Sequence, residues 1–250
     1  MERKITLMIL LIICVCTAFA QTAASETGIR LLKKMTDKCS KESNLSFNMQ
    51  FRYFAESEPG RCLDSMNGNA SMNGARYAYR LGNTEIIKTE EYIITLFSEE
   101  KIMQLIKINK SDPGSPMEST VFNNNLIMAL DSLQLHKQVD ISVTDAADLH
   151  VVTVTFAEQG PWKSAQYVIS GKNDLLEKAT IVTRMEEMLG PGLQGKGLAG
   201  GYAVIETIFT DYSTRPKDPG LLQNDRYFTM KGDEFEPAAA YKDYRIMVVQ

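Results

Sequence analysis

Between Ser46 and Tyr53 apolar and polar side chains alternate without a break: Phe47, Met49, Phe51 and Tyr53 on one side, Ser46, Asn48, Gln50 and Arg52 on the other. Successive side chains of a strand point to opposite faces, so this period fits a β-strand with one apolar face and not a helix. The pattern recurs in short segments broken by turn chemistry. Glu58-Pro59-Gly60 leads into a return strand from Arg61 to Met72, Asn73-Gly74 is a hairpin signal ahead of Arg76 to Arg80, and Gly82-Asn83 turns again. Strands over 85–88, 92–97 and 101–109 follow, with links so short that neighbours must run antiparallel. A second series is expected over 139–144, 149–156, 164–170, 175–188, 202–212 and 244–249.

Helical spacing occurs twice. Ile29, Leu32, Met35 and Cys39 recur every three or four residues, which predicts an amphipathic helix over Ser25 to Lys38. Ser115-Pro116-Met117-Glu118 combines an N-cap, a proline at the first helical position and a glutamate three residues after the cap. The stripe Phe122, Leu126, Ala129, Leu130 and Leu133 then carries a helix to about 133. No stretch reads as a linker between domains. One domain of many antiparallel strands and two helices is the simplest architecture.

The N-terminus has the pattern of an export signal. Met1 to Lys4 carries positive charge, Ile5 to Phe19 is apolar, and Ala18 and Ala20 stand where a signal peptidase reads small residues. Residues 1–20 are therefore expected to be removed between Ala20 and Gln21, leaving 21–250 as the domain in an oxidising compartment. The apolar run is shorter than the ~20 residues that cross a bilayer. Cys39 and Cys62 then remain as an even pair, which predicts a disulfide; two buried, unpaired thiols are the alternative.

Several chemistries are disfavoured. The 27 Lys+Arg against 31 Asp+Glu give a net charge of −4, and no basic cluster stands out, so nucleic acid is not an expected partner. The two histidines, His136 and His150, have no Cys or second His at ligand spacing, and no calcium-loop motif is present, so no metal site is expected. Gly190 to Gly197 mimics a phosphate loop, but Gly197 replaces the hydroxyl residue and a strand follows where a helix must begin. No G-x-S-x-G elbow exists, and paired acids such as Glu90-Glu91 and Glu186-Glu187 point to opposite faces of a strand. No catalytic residue or cofactor is expected.

What stands out is the supply of large apolar side chains: 13 Met, 10 Phe and 10 Tyr. Met fills irregular cores and adaptable binding surfaces. Two short helices cannot readily cover so many strands, so an apolar sheet face must either close as a core or bind something.

The order of elements (export signal, amphipathic helix, the Ser46 to Phe51 strand, a hairpin, the Gly68-containing return strand, then Tyr92 to Lys101) resembles the periplasmic carriers of outer-membrane lipoproteins, the LolA-like family. The resemblance extends over about 26–249. It implies an α+β, single-domain fold: a strongly curved antiparallel sheet, or incomplete β-barrel, with helices covering the concave face. It also implies a non-enzymatic periplasmic protein that holds lipoprotein acyl chains, or another lipid, in an apolar cavity and delivers them toward the outer membrane. The cavity would be lined by Phe47, Met49, Phe51, Tyr53, Tyr77, Tyr79, Ile94 and Leu96 and capped by Phe122, Leu126 and Leu130. The chain departs from the family pattern at three places. Met72-Asn73-Gly74 replaces a basic-proline pair, Glu90-Glu91 replaces an Asp-Gly turn, and segments around 190–200 and 213–226 are longer than in a minimal carrier. The competing function is an envelope-assembly or interaction module that uses the same scaffold with a closed core and protein partners.

Overall fold

The computed structural model describes residues 24–108, 130, 132–133, 136, 138–157, 160–185, 201–215, 218, 220–232 and 234–249. They form an α+β fold in which twelve strands hydrogen-bond in the order β14 (Arg245–Val249), β6 (Ile102–Lys107), β5 (Tyr92–Phe97), β4 (Thr84–Lys88), β3 (Arg76–Leu81), β2 (Cys62–Asn73), β1 (Leu45–Ala55), β11 (Tyr202–Ser213), β10 (Leu176–Arg184), β9 (Trp162–Ser170), β8 (Leu149–Phe156) and β7 (Val139–Ala146), with no pairing between the end strands among the described residues. From β2 to β6 and from β7 to β10 neighbours pair antiparallel, whereas β14 runs parallel to β6. The α+β class and the open antiparallel sheet agree with expectation. The chain divides into two compact units, one of Met1–Lys38, Phe54–Arg61 and Ser119–Ile205, the other of Cys39–Tyr53, Cys62–Glu118 and Glu206–Gln250.

The first unit holds helix α1 (24–41) as far as Lys38; the helix lies against β7 (Val139–Ala146) and β8 (Leu149–Phe156), and these pair onward with β9 (Trp162–Ser170) and β10 (Leu176–Arg184). The register places Ile141 opposite Val154, Val152 opposite Tyr167 and Tyr167 opposite Ala179, and all five are buried. The helix contributes Ser25, Gly28, Leu32 and Met35, all buried and spaced at i, i+3, i+4. Gly28 allows the closest approach, because a β-carbon there would fall 2.6 Å from Ile141 Cγ2. Ser25 Oγ fixes the same contact by donating to the Ile141 carbonyl at 3.2 Å. The other face of these strands carries Ser142, Thr153, Gln166 and Thr180 in register, and Gln166 Nε2 donates to Thr153 Oγ1 at 3.3 Å. One face is apolar and covered, the other polar, as antiparallel sheets allow.

The second unit holds most of β1 (Leu45–Ala55), then β2 (Cys62–Asn73), β3 (Arg76–Leu81), β4 (Thr84–Lys88), β5 (Tyr92–Phe97), β6 and β14, with the later part of β11 (Tyr202–Ser213). Its turns sit at the predicted glycines: Gly74 and Gly82 take φ of +58° and +56°, a region that costs other residues energy. A separate hairpin that sequence analysis did not anticipate, β12 (Phe228–Lys231) with β13 (Glu234–Pro237), is flanked by short 3-10 turns at Asn224–Arg226 and Ala239–Tyr241.

The expected disulfide is absent. Cys39 is buried near the end of α1, whereas Cys62 opens β2 in an exposed position with its thiol donating to the Asp64 carbonyl at 3.2 Å. The signal segment 1–20, the cleavage site Ala20–Gln21 and most of the predicted 115–133 helix, including Phe122 and Leu126, lie outside the described residues. Residues 130, 132 and 133 are helical, and Leu130 is buried. Among the described helices none is long and apolar enough to cross a membrane.

Candidate functional site

Register decides which candidate side chains meet. From β2 to β6 the cross-strand pairs run Ala70–Tyr79–Ile86–Thr95–Gln104 and Met72–Tyr77–Lys88–Ile93–Ile106. Directly paired residues share a face, so Tyr77 and Tyr79 stand with Ile86, Ile93 and Phe97. Strand β1 joins that face at Met49, whose Cε would lie 3.5 Å from a β-carbon on Gly68. By alternation Phe47, Phe51 and Tyr53 follow Met49. Six of the expected cavity residues are thus on one side of one sheet.

That side is neither packed shut nor open. Met49, Phe51, Tyr53, Tyr77, Tyr79, Ile86, Ile93 and Phe97 are all half-buried. Phe47 alone among the β1 candidates is buried, against Phe209 and Tyr212 with ring centroids 5.8 and 5.2 Å away. The Tyr77 and Tyr79 rings stack at 6.4 Å, and the Lys88 ammonium sits 5.9 Å from the centre of the Tyr77 ring. Burial raises the Tyr79 hydroxyl above the usual phenol range; burial and then the Asp64 charge do the same for Tyr53. Both hydroxyls therefore stay neutral donors at ordinary pH.

Ile94 and Leu96 are on the opposite face. They pair with Leu105 and Met103, and with Ala78, Ile87 and Tyr92 they form a core that also contains Tyr227 and Phe228. Sequence reading missed this cover. The Tyr92 ring meets Phe228 and Phe235 edge-on at 5.3 and 5.9 Å, and Tyr227 Oη donates to the Leu221 carbonyl at 2.7 Å. Glu85 lies at the edge of this core, joined to Arg80 Nη2 at 2.8 Å, and burial followed by the Glu85 charge drives the Tyr227 hydroxyl far up. The signal was in the sequence: aromatics at 227, 228, 235, 241 and 244 bracket a Lys-Gly-Asp-Glu turn at 231–234.

Among the described residues of the same unit, hollows open beside these strands. One of about 480 Å³ is lined by Asn48, Met49, Gln50, Asn67, Gly68, Asn69, Ile208 and Thr210, and is mainly amide in character. Asn48 Nδ2 donates to Asp211 Oδ2 at 2.7 Å beside it, and Arg52 pairs with Glu206 at 3.3 Å. Another, of about 110 Å³, lies where β1 starts and β2 ends and is lined in part by Arg76 and Arg215. Among the described residues no three His, Cys, Asp or Glu side chains gather as metal ligands.

An open antiparallel sheet with a covered and a half-shielded face defines the class of this protein. No family model matches the chain, and neither does any curated protein. Solved structures are similar at low identity. A LolA superfamily protein from Nitrosomonas europaea has 11% identity and a TM-score of 0.35, over 78% of this chain and 97% of that one. An uncharacterised conserved protein from Thermus thermophilus has 6% identity and a TM-score of 0.45, over 88% and 98%. The MucA/MucB complex of Pseudomonas aeruginosa has 11% identity and a TM-score of 0.43, over 79% of this chain and 60% of that one. At these identities and scores the likeness says nothing about what is bound.

Proposed function

We propose that this is an exported, periplasmic binding protein that holds acyl chains, of a lipoprotein or another lipid, against the half-buried face formed by Phe51, Tyr53, Tyr77 and Tyr79 and delivers them toward the outer membrane. One observation carries the reading: eight large side chains of one sheet face stop at partial burial, while the opposite face of β3 to β6 is closed by Tyr227 and Phe228. Apolar surface left at partial burial retains free energy to be gained, about 0.8 kcal/mol for each methylene that a ligand buries. The tyrosine hydroxyls at the margin suit a ligand with an apolar tail and a polar end.

A titration with a dansyl-labelled fatty acid tests this. The wild type should bind saturably, and Phe51→Glu should weaken binding more than tenfold while shifting the denaturation midpoint little, because a half-buried side chain can turn toward water. Phe51→Glu unfolding the chain, together with an absence of saturable binding by the wild type, would end the carrier reading in favour of an interaction module with a closed core.

A further inference from the structure

The smaller hollow has a chemistry of its own. Arg76, at the start of β3, and Arg215, just past β11, both line it, together with Ser46, Ser71, Asn73 and Leu221. Its volume of about 110 Å³ suits a tetrahedral oxyanion and little more. Arg76 is held in place: its Nη2 donates to Asn73 Oδ1 at 3.1 Å, and Asn73 Nδ2 in turn donates to Asn44 Oδ1 at 2.9 Å. Its only carboxylate partner among the described residues is Glu90, at 3.8 Å and 80% exposed, a contact that solvent largely screens. The Arg215 backbone is fixed by its N–H donating to Ser213 Oγ at 3.2 Å, and its guanidinium has no carboxylate partner among the described residues. Asp218 also lines the hollow, but its carboxylate is engaged by the Arg226 guanidinium and by the Gly220 N–H. Guanidinium donors in a fixed fork match tetrahedral oxyanions, and the Ser71 hydroxyl supplies a further donor, whereas Ser46 Oγ donates to the Ser213 carbonyl at 3.4 Å and only lines the hollow.

We propose that Arg76 and Arg215, with Ser71, form a binding site for a phosphate group. The site does not depend on the acyl-chain reading, since it occupies a different hollow and different side chains. Free phosphate and the phosphodiester of a lipid headgroup share this chemistry, so both belong in the test.

The full chain, labelled with nitrogen-15, is titrated at low ionic strength with inorganic phosphate. Backbone amide shifts should saturate and concentrate at Ser46, Ser71, Asn73 and Arg76. Arg215→Gln and Arg76→Gln should each weaken binding at least tenfold, and Arg30→Gln on α1 should leave it unchanged; far-UV circular dichroism confirms that each variant is folded. A short-chain phosphatidylglycerol, kept below its micelle concentration, forms the second arm. Binding ten times tighter than inorganic phosphate assigns the site to a lipid headgroup, and equal or weaker binding assigns it to free phosphate. Shifts that never saturate with either probe, or that respond equally to Arg30→Gln and Arg215→Gln, overturn the proposal.

Discussion

Gly68 lies against the main chain of Arg80: a β-carbon added to it would fall 2.5 Å from the Arg80 carbonyl oxygen. The same added carbon would be 3.4 Å from Leu81 Cδ1 and 3.5 Å from Met49 Cε, so the vacant position lies under the side chains of the half-buried face. Backbone cannot yield as a flexible side-chain tip can. Gly68→Ala should therefore destabilise by about 1–3 kcal/mol despite the entropic advantage of alanine in a strand. A urea midpoint equal to or above that of the wild type would show that β2 and β3 shift apart at no cost.

Much of this arrangement was legible because period-two alternation is a local property. The Phe47, Met49, Phe51, Tyr53 series specifies its own face, and the turns at Gly74 and Gly82 specify their own backbone. The relation between distant strands was not legible. Tyr79 and Ile94 both lie on alternating apolar strands, and only the pairing of Tyr79 with Ile86 and of Ile94 with Ile87 places them on opposite faces. In strands with apolar residues on both sides, such as Tyr92-Ile93-Ile94-Thr95-Leu96-Phe97, alternation names two faces without saying which is covered. The cover itself comes from some 130 residues further on, at Tyr227 and Phe228.

The neighbours Ile93 and Ile94 turn this division into a measurement. Ile94 is fully buried in the closed core, while Ile93 is half-buried on the face proposed to take the ligand. Ile94→Ala should cost about 2–5 kcal/mol through lost burial and the cavity left behind, and should leave affinity for the dansyl-labelled fatty acid unchanged in the folded protein. Ile93→Ala should cost less than half as much stability and weaken that affinity. Equal stability losses for the two variants would place both in one packed core.

Ala147 has a φ of +53° in the turn between β7 and β8, where Ala146 pairs with Leu149. For an L-residue with a β-carbon this backbone costs about 1–2 kcal/mol, and asparagine bears it more readily. Ala147→Asn should thus raise stability by about 0.5–1 kcal/mol without the entropic penalty that glycine would bring. Thermal unfolding followed by circular dichroism checks it; a lower melting temperature would mean that the alanine methyl makes a contact worth more than the strain.

Tyr167 sets the alkaline limit of the first unit. It is 4% exposed, between Val152 and Ala179 on the neighbouring strands, and burial pushes its hydroxyl from 10.0 up to about 12. In the unfolded chain the phenol loses its proton near its ordinary value, whereas the folded chain keeps it. Above pH 10 the folded state consequently binds more protons than the unfolded state, and stability falls as pH rises. The contribution is fully present below pH 10 and is lost by about pH 12. Two pH units at about 1.4 kcal/mol each set the size of the loss at roughly 2–3 kcal/mol. Tyr53, Tyr79, Tyr227 and Tyr241 are raised in the same direction, so the wild-type curve will fall more steeply than one residue explains. Tyr167→Phe isolates its share: the gap in unfolding free energy between variant and wild type should be constant from pH 7 to 9 and then shift in favour of the variant between pH 10 and 12. Parallel curves across the whole range would mean that the Tyr167 hydroxyl ionises in the folded chain as easily as in water, and that its burial is not what the structure shows.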